Sequence, residues 1–144
     1  MTKKNDIREL LNSIAPKLNP GEYVFASVNT AEAIDQKDVI SSIQESEGVS
    51  VVISKTKADL LQLKYDFVAA WITLTVHSSL NAVGLTAAFS NELAKHDISC
   101  NVVAGFYHDH IFVNKIDSER AMEILNQLSR TNSAQYCATK WHNV

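Results

Sequence analysis

Polar side chains that could bind an anion stand immediately before one of the predicted helices. Ser78, Ser79 and Asn81 precede a helical stripe of apolar residues that begins near residue 82. The first backbone N–H groups of a helix have no partner within the helix, and they lie at the positive end of its dipole. The polar side chains can cap these groups, or the groups can bind an anion such as a carboxylate. The spacing alone leaves both interpretations open.

Two histidines, His108 and His110, suggest a second kind of chemistry. Residues two apart on a strand project to the same face, and imidazole is a common metal ligand. These two straddle a predicted turn, however, and a further ligand would have to come from His77, His96, His142 or a distant carboxylate. A hydrogen-bonded hairpin is the preferred interpretation, and His-dependent metal binding is a minor alternative.

Catalytic motifs do not appear in the chain. His77 and Ser78 are adjacent, whereas a catalytic triad needs a base, a nucleophile and an orienting acid that converge. The sequence has no Gly-x-Ser-x-Gly elbow, no phosphate-binding loop and no Gly-x-Gly-x-x-Gly. Glu45 and Glu47 fall at a predicted hairpin tip, where solvated carboxylates are common. We therefore predict that the protein is not an enzyme and carries no cofactor.

Composition narrows the class of protein further. The chain has 144 residues, enough for one compact domain or two small ones with a shared core. Its net charge is −3 and its Lys and Arg residues are scattered, which predicts neither nucleic-acid nor membrane binding. No apolar run approaches a membrane-spanning length or a signal sequence. Cys100 and Cys137 do not suggest a disulfide framework, so we predict a cytoplasmic location.

Apolar periodicity predicts alternating strands and helices. In the first half the pattern predicts a helix over 6–16, a strand over 22–28, a loop over 29–38, a hairpin of strands 39–44 and 49–54, and a short helix over 56–63. In the second half it predicts a strand over 67–76, a helix over 82–96, a hairpin of strands 99–106 and 110–113, and a helix over 117–130. For residues 131–144 the pattern does not distinguish a frayed tail from a short edge strand.

The order of these elements predicts an α+β, ferredoxin-like fold of two tandem βαββαβ units that share a central antiparallel sheet region. We expect an incomplete N-terminal unit at 1–66, with the opening helix over its bare sheet face, and a C-terminal unit at 67–144. The segment 67–76 is apolar on both faces, as in a central buried strand, and the predicted fold assigns it to both units. One unit then lacks a strand, which the tail or a second molecule could supply.

One segment resembles a known family. Asn81-Ala-Val-Gly-Leu and the helix after it resemble the first loop and helix of ACT domains, whose pattern is Asp-x-Pro-Gly-Leu and later Gly-Ile-Asn. Asn81 stands for the Asp, and Gly84 and Leu85 coincide with the Gly-Leu pair, whereas Val83 replaces the Pro and Asp97 replaces the later Gly.

Longer stretches resemble small bacterial tandem ACT proteins whose function is uncharacterised. The most specific are His77-Ser-Ser-Leu-Asn-Ala-Val-Gly-Leu and Asn101-Val-Val-Ala-Gly-Phe-Tyr-His-Asp-His-Ile-Phe-Val. The resemblance covers about residues 7–130.

The resemblance implies a small-molecule effector, an amino acid or similar carboxylate, bound where the first loop of one unit meets a strand of a neighbouring unit. The positions that it implies are Ser78, Ser79, Asn81, Val83, Gly84 and Leu85, with Asn101 and Val102 on the adjacent strand. It also implies a regulatory module without catalytic activity, as a homodimer or higher homo-oligomer. The alternative is a partner-binding regulatory subunit that has no small ligand of its own.

Overall fold

A computed structural model describes residues 7–75 and 83–141, and the side chains of all of these except 8–10 and 131–141. The strands are β1 (Pro16–Leu18), β2 (Tyr23–Val28), β3 (Val39–Glu45), β4 (Gly48–Ser54), β5 (Val68–Leu74), β6 (Asn101–Ala104) and β7 (Asp109–Asn114). The α-helices are α1 (Ile7–Asn12), α2 (Lys55–Leu60), α3 (Leu85–Lys95) and α4 (Ser118–Trp141). Short 3-10 turns occupy Ala31–Ala33 and Gln36–Asp38 in the predicted loop, and Lys115–Asp117 before α4.

The strands form one antiparallel sheet in the order β3-β4-β2-β5-β7-β6, and β1 pairs with β5 beside the end of β2. The start of β5, Val68 and Ala69, pairs with β2, and its end, Ile72–Leu74, pairs with β1. The other edge of β5 pairs with β7 from Ala69 to Leu74. One strand therefore belongs to both halves of the sheet, which confirms that the two tandem units share a central strand.

The missing strand comes from the chain's own beginning. β1 lies beside β5, and the order β1-β5-β7-β6 completes a four-stranded ferredoxin-like arrangement in the second half. The first half has the corresponding order β3-β4-β2-β5. The expectation that the tail or a second molecule would supply a strand is therefore wrong. Pro16 opens β1, a position where the missing N–H of proline is tolerated in a strand.

The opening helix packs on the second half rather than over the bare face of the first. α1 contacts α4 and α3, and its Leu11, with Ile14 just after it, belongs to the same buried cluster as Phe89 and Leu125. Our expectation for this helix is therefore wrong. The division of the chain into units at 1–66 and 67–144 stays a prediction.

The C-terminal segment continues as a helix, because α4 extends to Trp141. Over residues 131–141 the structure has a helix, so neither of the two predicted options, a frayed tail or a short edge strand, is right there. None of the helices in the described part of the chain is long and apolar enough to cross a membrane.

The two faces of the sheet differ in how they are covered. Alternate strand residues such as Val24, Ile53, Ile72 and Ile111 are fully buried in the clusters that contain the helices. On the opposite face lies an aromatic layer made of Tyr23, Phe25, Phe67, Trp71 and Phe112. In this layer Trp71 and Phe112 stack with 6.2 Å between ring centroids, and Phe112 is fully buried.

We predict that α1 contributes to stability through Leu11, which is 7% exposed. Leu11→Ala should lower the free energy of unfolding by about 2–5 kcal/mol, because it leaves a cavity between α1 and the other helices. Leu60→Ala in α2 is the matched control, since Leu60 is 74% exposed and the change should cost no more than about 0.5 kcal/mol. Urea unfolding measures both, and equal small losses would show that α1 does not pack as described.

Candidate functional site

The start of α3 is a helix N-terminus with a glycine as its N-cap. Gly84 is its N-cap residue with φ of +99°, and among the described residues no side chain caps the helix. A Cβ at Gly84 would lie 3.5 Å from Ile7 Cδ1, an ordinary contact, so the positive φ is what favours glycine here. α3 is 11 residues long, and its first N–H groups carry the positive end of the helix dipole.

The residues predicted around this helix start differ in their placement. Val83 is 88% exposed, whereas Leu85 is 3% exposed and packs into the core as the first of three buried α3 residues, with Phe89 and Leu93. The predicted residues Ser78, Ser79 and Asn81 lie outside the described residues. Near the start of α3, the described exposed residues are therefore Val83, Thr86 and Ala87, while Leu85 anchors the helix.

The two predicted residues on β6 differ in exposure. Asn101 is exposed and pairs with Phe112 of β7, while Val102 is half-buried and packs against the helix-side core. β7 separates β6 from β5, so β6 is not adjacent to the strand that leads into the loop. Asn101 is three residues along β6 from Ala104, which is about 10 Å.

Topology identifies which residues share an end of the sheet with the start of α3. β5 ends at Leu74, and α3 returns the chain to Asn101, the first residue of β6. The first turn of α3 therefore lies toward the end of the sheet where Leu74 is. In the register of the sheet, Leu74 pairs with Asp109, and Asp109 pairs with Ala104. These three residues form a row across the end of the second half, which we call the upper row.

Asp109 is the functional candidate that the sequence analysis missed. It is 9% exposed, and it shares the helix-side face with Ile111 and Val113, its alternate neighbours on β7. Burial raises the pKa of the Asp109 carboxyl, and the nearby rings of His110 and His108 lower it in part. The sequence contained a pattern that could have identified it, because Asp109, Ile111 and Val113 alternate along one strand and share a face. The predicted turn included Asp109, so it was not assigned to the strand.

His110 projects to the opposite face and is held by hydrogen bonds. Its Nδ1 accepts a hydrogen bond from Trp71 Nε1 at 3.0 Å and lies 3.2 Å from Thr73 Oγ1, to which Asn19 Nδ2 donates at 2.9 Å. Indole nitrogen only donates, so Nδ1 carries no proton and the ring is neutral. Burial lowers the pKa of His110, His108 lowers it further, and Asp109 raises it in part.

Metal binding gains no support from the histidines. His110 Nδ1 is occupied by Trp71, and within residues 7–75 and 83–141 no group of three or more His, Cys, Asp or Glu side chains could hold a metal ion. His108 Nδ1 is buried and has no hydrogen-bond partner in the described structure. The nearby backbone is tight, because a Cβ at Gly105 would lie 2.8 Å from the His108 carbonyl oxygen.

The first half of the sheet carries a cavity of about 500 Å³, lined by residues 29–32 and 44–49. This cavity is lined by residues that follow β2 and by the β3–β4 hairpin. The corresponding elements in the second half are the residues that follow β5 and the β6–β7 hairpin. Its lining includes Glu32, Glu45 and Glu47. Three carboxylates disfavour an anionic ligand, so the start of α3 is the better candidate for binding a carboxylate.

Comparison with known proteins is consistent with this architecture. An ACT domain profile matches residues 4–70, and a second ACT domain profile matches residues 67–127. No curated protein sequence matches the chain.

Solved structures extend the comparison. A protein of unknown function from Vibrio cholerae, described as a possible transport protein, is 44% identical, with a TM-score of 0.77 over 85% of this chain and 95% of that one. A protein from Agrobacterium tumefaciens is 20% identical, with a TM-score of 0.61 over 81% and 89% of the two chains. The regulatory subunit of aspartate kinase from Thermus flavus is 10% identical, with a TM-score of 0.56 over 81% and 98%. The latter two show a common fold.

We predict that His110 makes the protein less stable in acid. Its folded-state pKa lies below the unfolded value of about 6.5, so the unfolded state binds more protons between these two values. Stability should therefore be complete above about pH 6.5 and fall as the pH decreases below it, by no more than about 1.4 kcal/mol per pH unit for one proton.

The test compares urea unfolding from pH 5 to 7.5 in wild type and His110→Gln. Glutamine can still accept the hydrogen bond from Trp71 but does not titrate, so the variant should have a flatter dependence on pH. His96→Gln, at the exposed end of α3, is the control. Identical pH dependence in wild type and His110→Gln would contradict the prediction.

Proposed function

This chain belongs to the ACT domain family, as a tandem pair of ACT domains, and from that premise we propose that it is a regulatory protein that binds an amino acid or another small carboxylate at the start of α3. The observation that carries the proposal is the Gly84 helix terminus. Its backbone adopts a left-handed conformation, and no described side chain caps the N–H groups that follow. Such groups bind carboxylates well.

The surroundings of this terminus suit a small ligand. Leu85 is buried and holds the first turn of α3 against the core, so the N–H groups have a fixed direction. Val83 is 88% exposed and offers an apolar surface beside them. Small-molecule sites combine apolar side chains with a few fixed polar groups, and Val83 and these N–H groups provide one of each kind.

We propose that the protein regulates without catalysis. Among the described residues, the groups that could do acid–base chemistry near this site are Asp109 and the neighbouring histidines, and His110 is engaged by Trp71. The regulatory subunit of aspartate kinase from Thermus flavus shares the fold. The cytoplasmic location predicted from the sequence stays a prediction, as does the absence of nucleic-acid binding.

A partner-binding subunit is the second candidate, and one observation favours it. Phe106 and Tyr107, in the β6–β7 turn, are 75% and 67% exposed and pack edge to face at 5.0 Å. Exposed aromatic pairs of this kind are common in protein interfaces. This surface could receive another protein whether or not a small ligand binds.

A homodimer also fits the architecture. In the described part of the chain, β1, β3 and β6 each pair along one edge only, and the other edge has free backbone groups that can pair with a second copy. A two-fold contact of this kind brings the same surface of each copy together. We propose a homodimer on this ground.

Amino-acid binding is tested by a thermal-shift screen with the twenty common amino acids. A ligand at 100 times its Kd should stabilise the native state by about 2.7 kcal/mol and raise the Tm accordingly. A response to one or a few amino acids supports the proposal. An unchanged Tm with all of them would favour the partner-binding subunit.

The binding position is tested by Val83→Asp, with Val83→Asn as the matched neutral control. A carboxylate next to Gly84 should interact with the helix terminus itself, stabilising the fold by about 0.3–1 kcal/mol and repelling an anionic ligand. We expect Val83→Asp to weaken binding at least tenfold by calorimetry, and Val83→Asn to bind nearly as wild type does. If both variants bind like wild type, the ligand lies elsewhere.

The oligomeric state is tested by sedimentation equilibrium over a hundredfold range of concentration. We expect a mass of twice the 15.9 kDa of one chain. A single species of 15.9 kDa at every concentration would overturn the homodimer.

A further inference from the structure

We infer that two copies of this chain associate through the face of the sheet opposite the helices, which we call the open face and whose centre is the aromatic layer. The inference rests on the homodimer proposed above and names the surface that the dimer uses. The free edges of β1, β3 and β6 could pair with a second copy, but the open face offers a larger surface to it.

The first argument is that no described helix side chain covers this apolar face. The cluster there consists of buried Val52, Ala69 and Phe112 with partly buried Tyr23, Ile40, Phe67, Trp71 and Val103, and none of these residues belongs to a helix. Phe25 of the aromatic layer is 37% exposed, and Ile43 of β3 is 61% exposed. A contiguous apolar patch on the surface of a protein marks an interaction site.

A small cavity opens on the same face. Its volume is about 50 Å³, and its lining consists of Phe25, Ser41, Ser42, Ile43, Ser50, Val51, Val52 and Val103. Ile43 belongs to β3 and Val103 to β6, which are the first and last strands of the sheet order, so the sheet curls over its open face. The cavity has room for one small apolar side chain, which a second copy can supply.

The open face is large enough for a stable dimer. Six strands span it, in the order β3-β4-β2-β5-β7-β6. At about 4.8 Å between strands and about 3.3 Å per residue, strands of about six residues present roughly 24 Å by 20 Å, or about 500 Å² in flat projection. The accessible surface of side chains exceeds a flat projection. The face therefore approaches the ~800 Å² that each partner contributes to an interface of standard size.

The charges on this face favour a second copy as the partner. Among the strand residues that the structure describes, two charged side chains lie on it, Lys17 of β1 and Glu45 of β3. Lys17 is exposed and pairs with Thr73, next to the upper row. Glu45 is exposed and accepts a hydrogen bond from Ser50 near the β3–β4 turn, at the other end of the sheet. The other strand residues of the open face are apolar or uncharged, the neutral His110 included.

These two charges complement each other under a two-fold axis. Such an axis brings the same surface of both copies together. When it runs across the strands, between the two faces, Lys17 lies opposite Glu45 of the partner subunit, and the pair occurs twice. Charge pairs at the rim of an interface determine orientation more than affinity. The aromatic layer then supplies the affinity, and the two charges determine how the faces meet.

The contact is tested by sedimentation equilibrium of two variants at neighbouring residues of β3. Ile43 lines the cavity on the open face, whereas Gln44 is exposed and, one residue along the strand, projects to the other face. Ile43→Lys should raise the Kd of the dimer about a hundredfold or more, because it buries an unpaired charge in the interface. Gln44→Lys is the matched control and should keep the Kd within about threefold of wild type.

The other outcomes overturn the inference. Equal weakening by both variants would indicate pairing along the β3 edge, and no weakening by either would place the contact elsewhere. A wild type of 15.9 kDa at every concentration would leave the open face to a different protein. The thermal-shift screen is independent of all three outcomes, so a response to an amino acid keeps the proposed ligand binding even if the dimer contact fails. Circular dichroism checks that Ile43→Lys is folded, as its exposure predicts.

Charge reversal tests the two-fold arrangement without changing the apolar centre of the face. Lys17→Glu and Glu45→Lys should each raise the Kd about tenfold, because each places like charges opposite one another twice. The double variant restores opposite charges and should return the Kd to within about threefold of wild type. A double variant that associates as weakly as the single variants would overturn the contact described here.

Discussion

Strand β5 is the constraint on which the rest of the structure depends. Its start pairs with β2, its end pairs with β1, and its other edge pairs with β7. Because side chains alternate along a strand, a shift of one residue would turn Ala70, Ile72 and Leu74 away from the helices and Trp71 toward them. The register of this one strand therefore determines both faces of the sheet.

The functional candidates follow from that register. Leu74 ends β5 where Asp109 begins β7, which places the carboxylate at the end of the sheet from which the chain proceeds to α3. Asn19, directly after β1, forms hydrogen bonds with the same strand. Its side chain donates to the Trp71 carbonyl oxygen at 3.2 Å and to Thr73 Oγ1 at 2.9 Å. The turn before β2, the aromatic layer and His110 are thereby connected through β5.

Much of the fold could be predicted from local pattern, and the errors have physical causes. The apolar run of 67–76 predicted a central strand because it is buried on both faces, and the hairpin at Gly48 followed from turn chemistry. β1 was missed because a three-residue strand has too little periodicity, and Pro16 suggested the end of a helix instead. The part of the sheet on which α1 packs depends on tertiary contacts, and no local sequence pattern encodes them.

For the candidate site, the sequence predicted the helix terminus but not its neighbours. Gly84 and Leu85 were predicted because their types and order are specific, and Gly84 is the N-cap of α3. Asn101 and Val102 lie on β6, which β7 separates from β5, and their part in a site stays a prediction. Asp109 was missed because the predicted turn included it, and its place beside Leu74, thirty-five residues earlier in the chain, follows only from strand pairing. Such pairing is a property of the sheet and not of the neighbouring sequence.

We propose that the second ACT domain binds an amino acid or another small carboxylate at the start of α3. The most direct measurement is a titration of ¹⁵N-labelled protein with the twenty amino acids, followed by amide chemical shifts. We predict saturable changes for one or a few of them, centred on Gly84 and Leu85, with the amides of residues 29–32 and 44–49 unchanged. Changes centred on those two segments, or none with any amino acid, would contradict it.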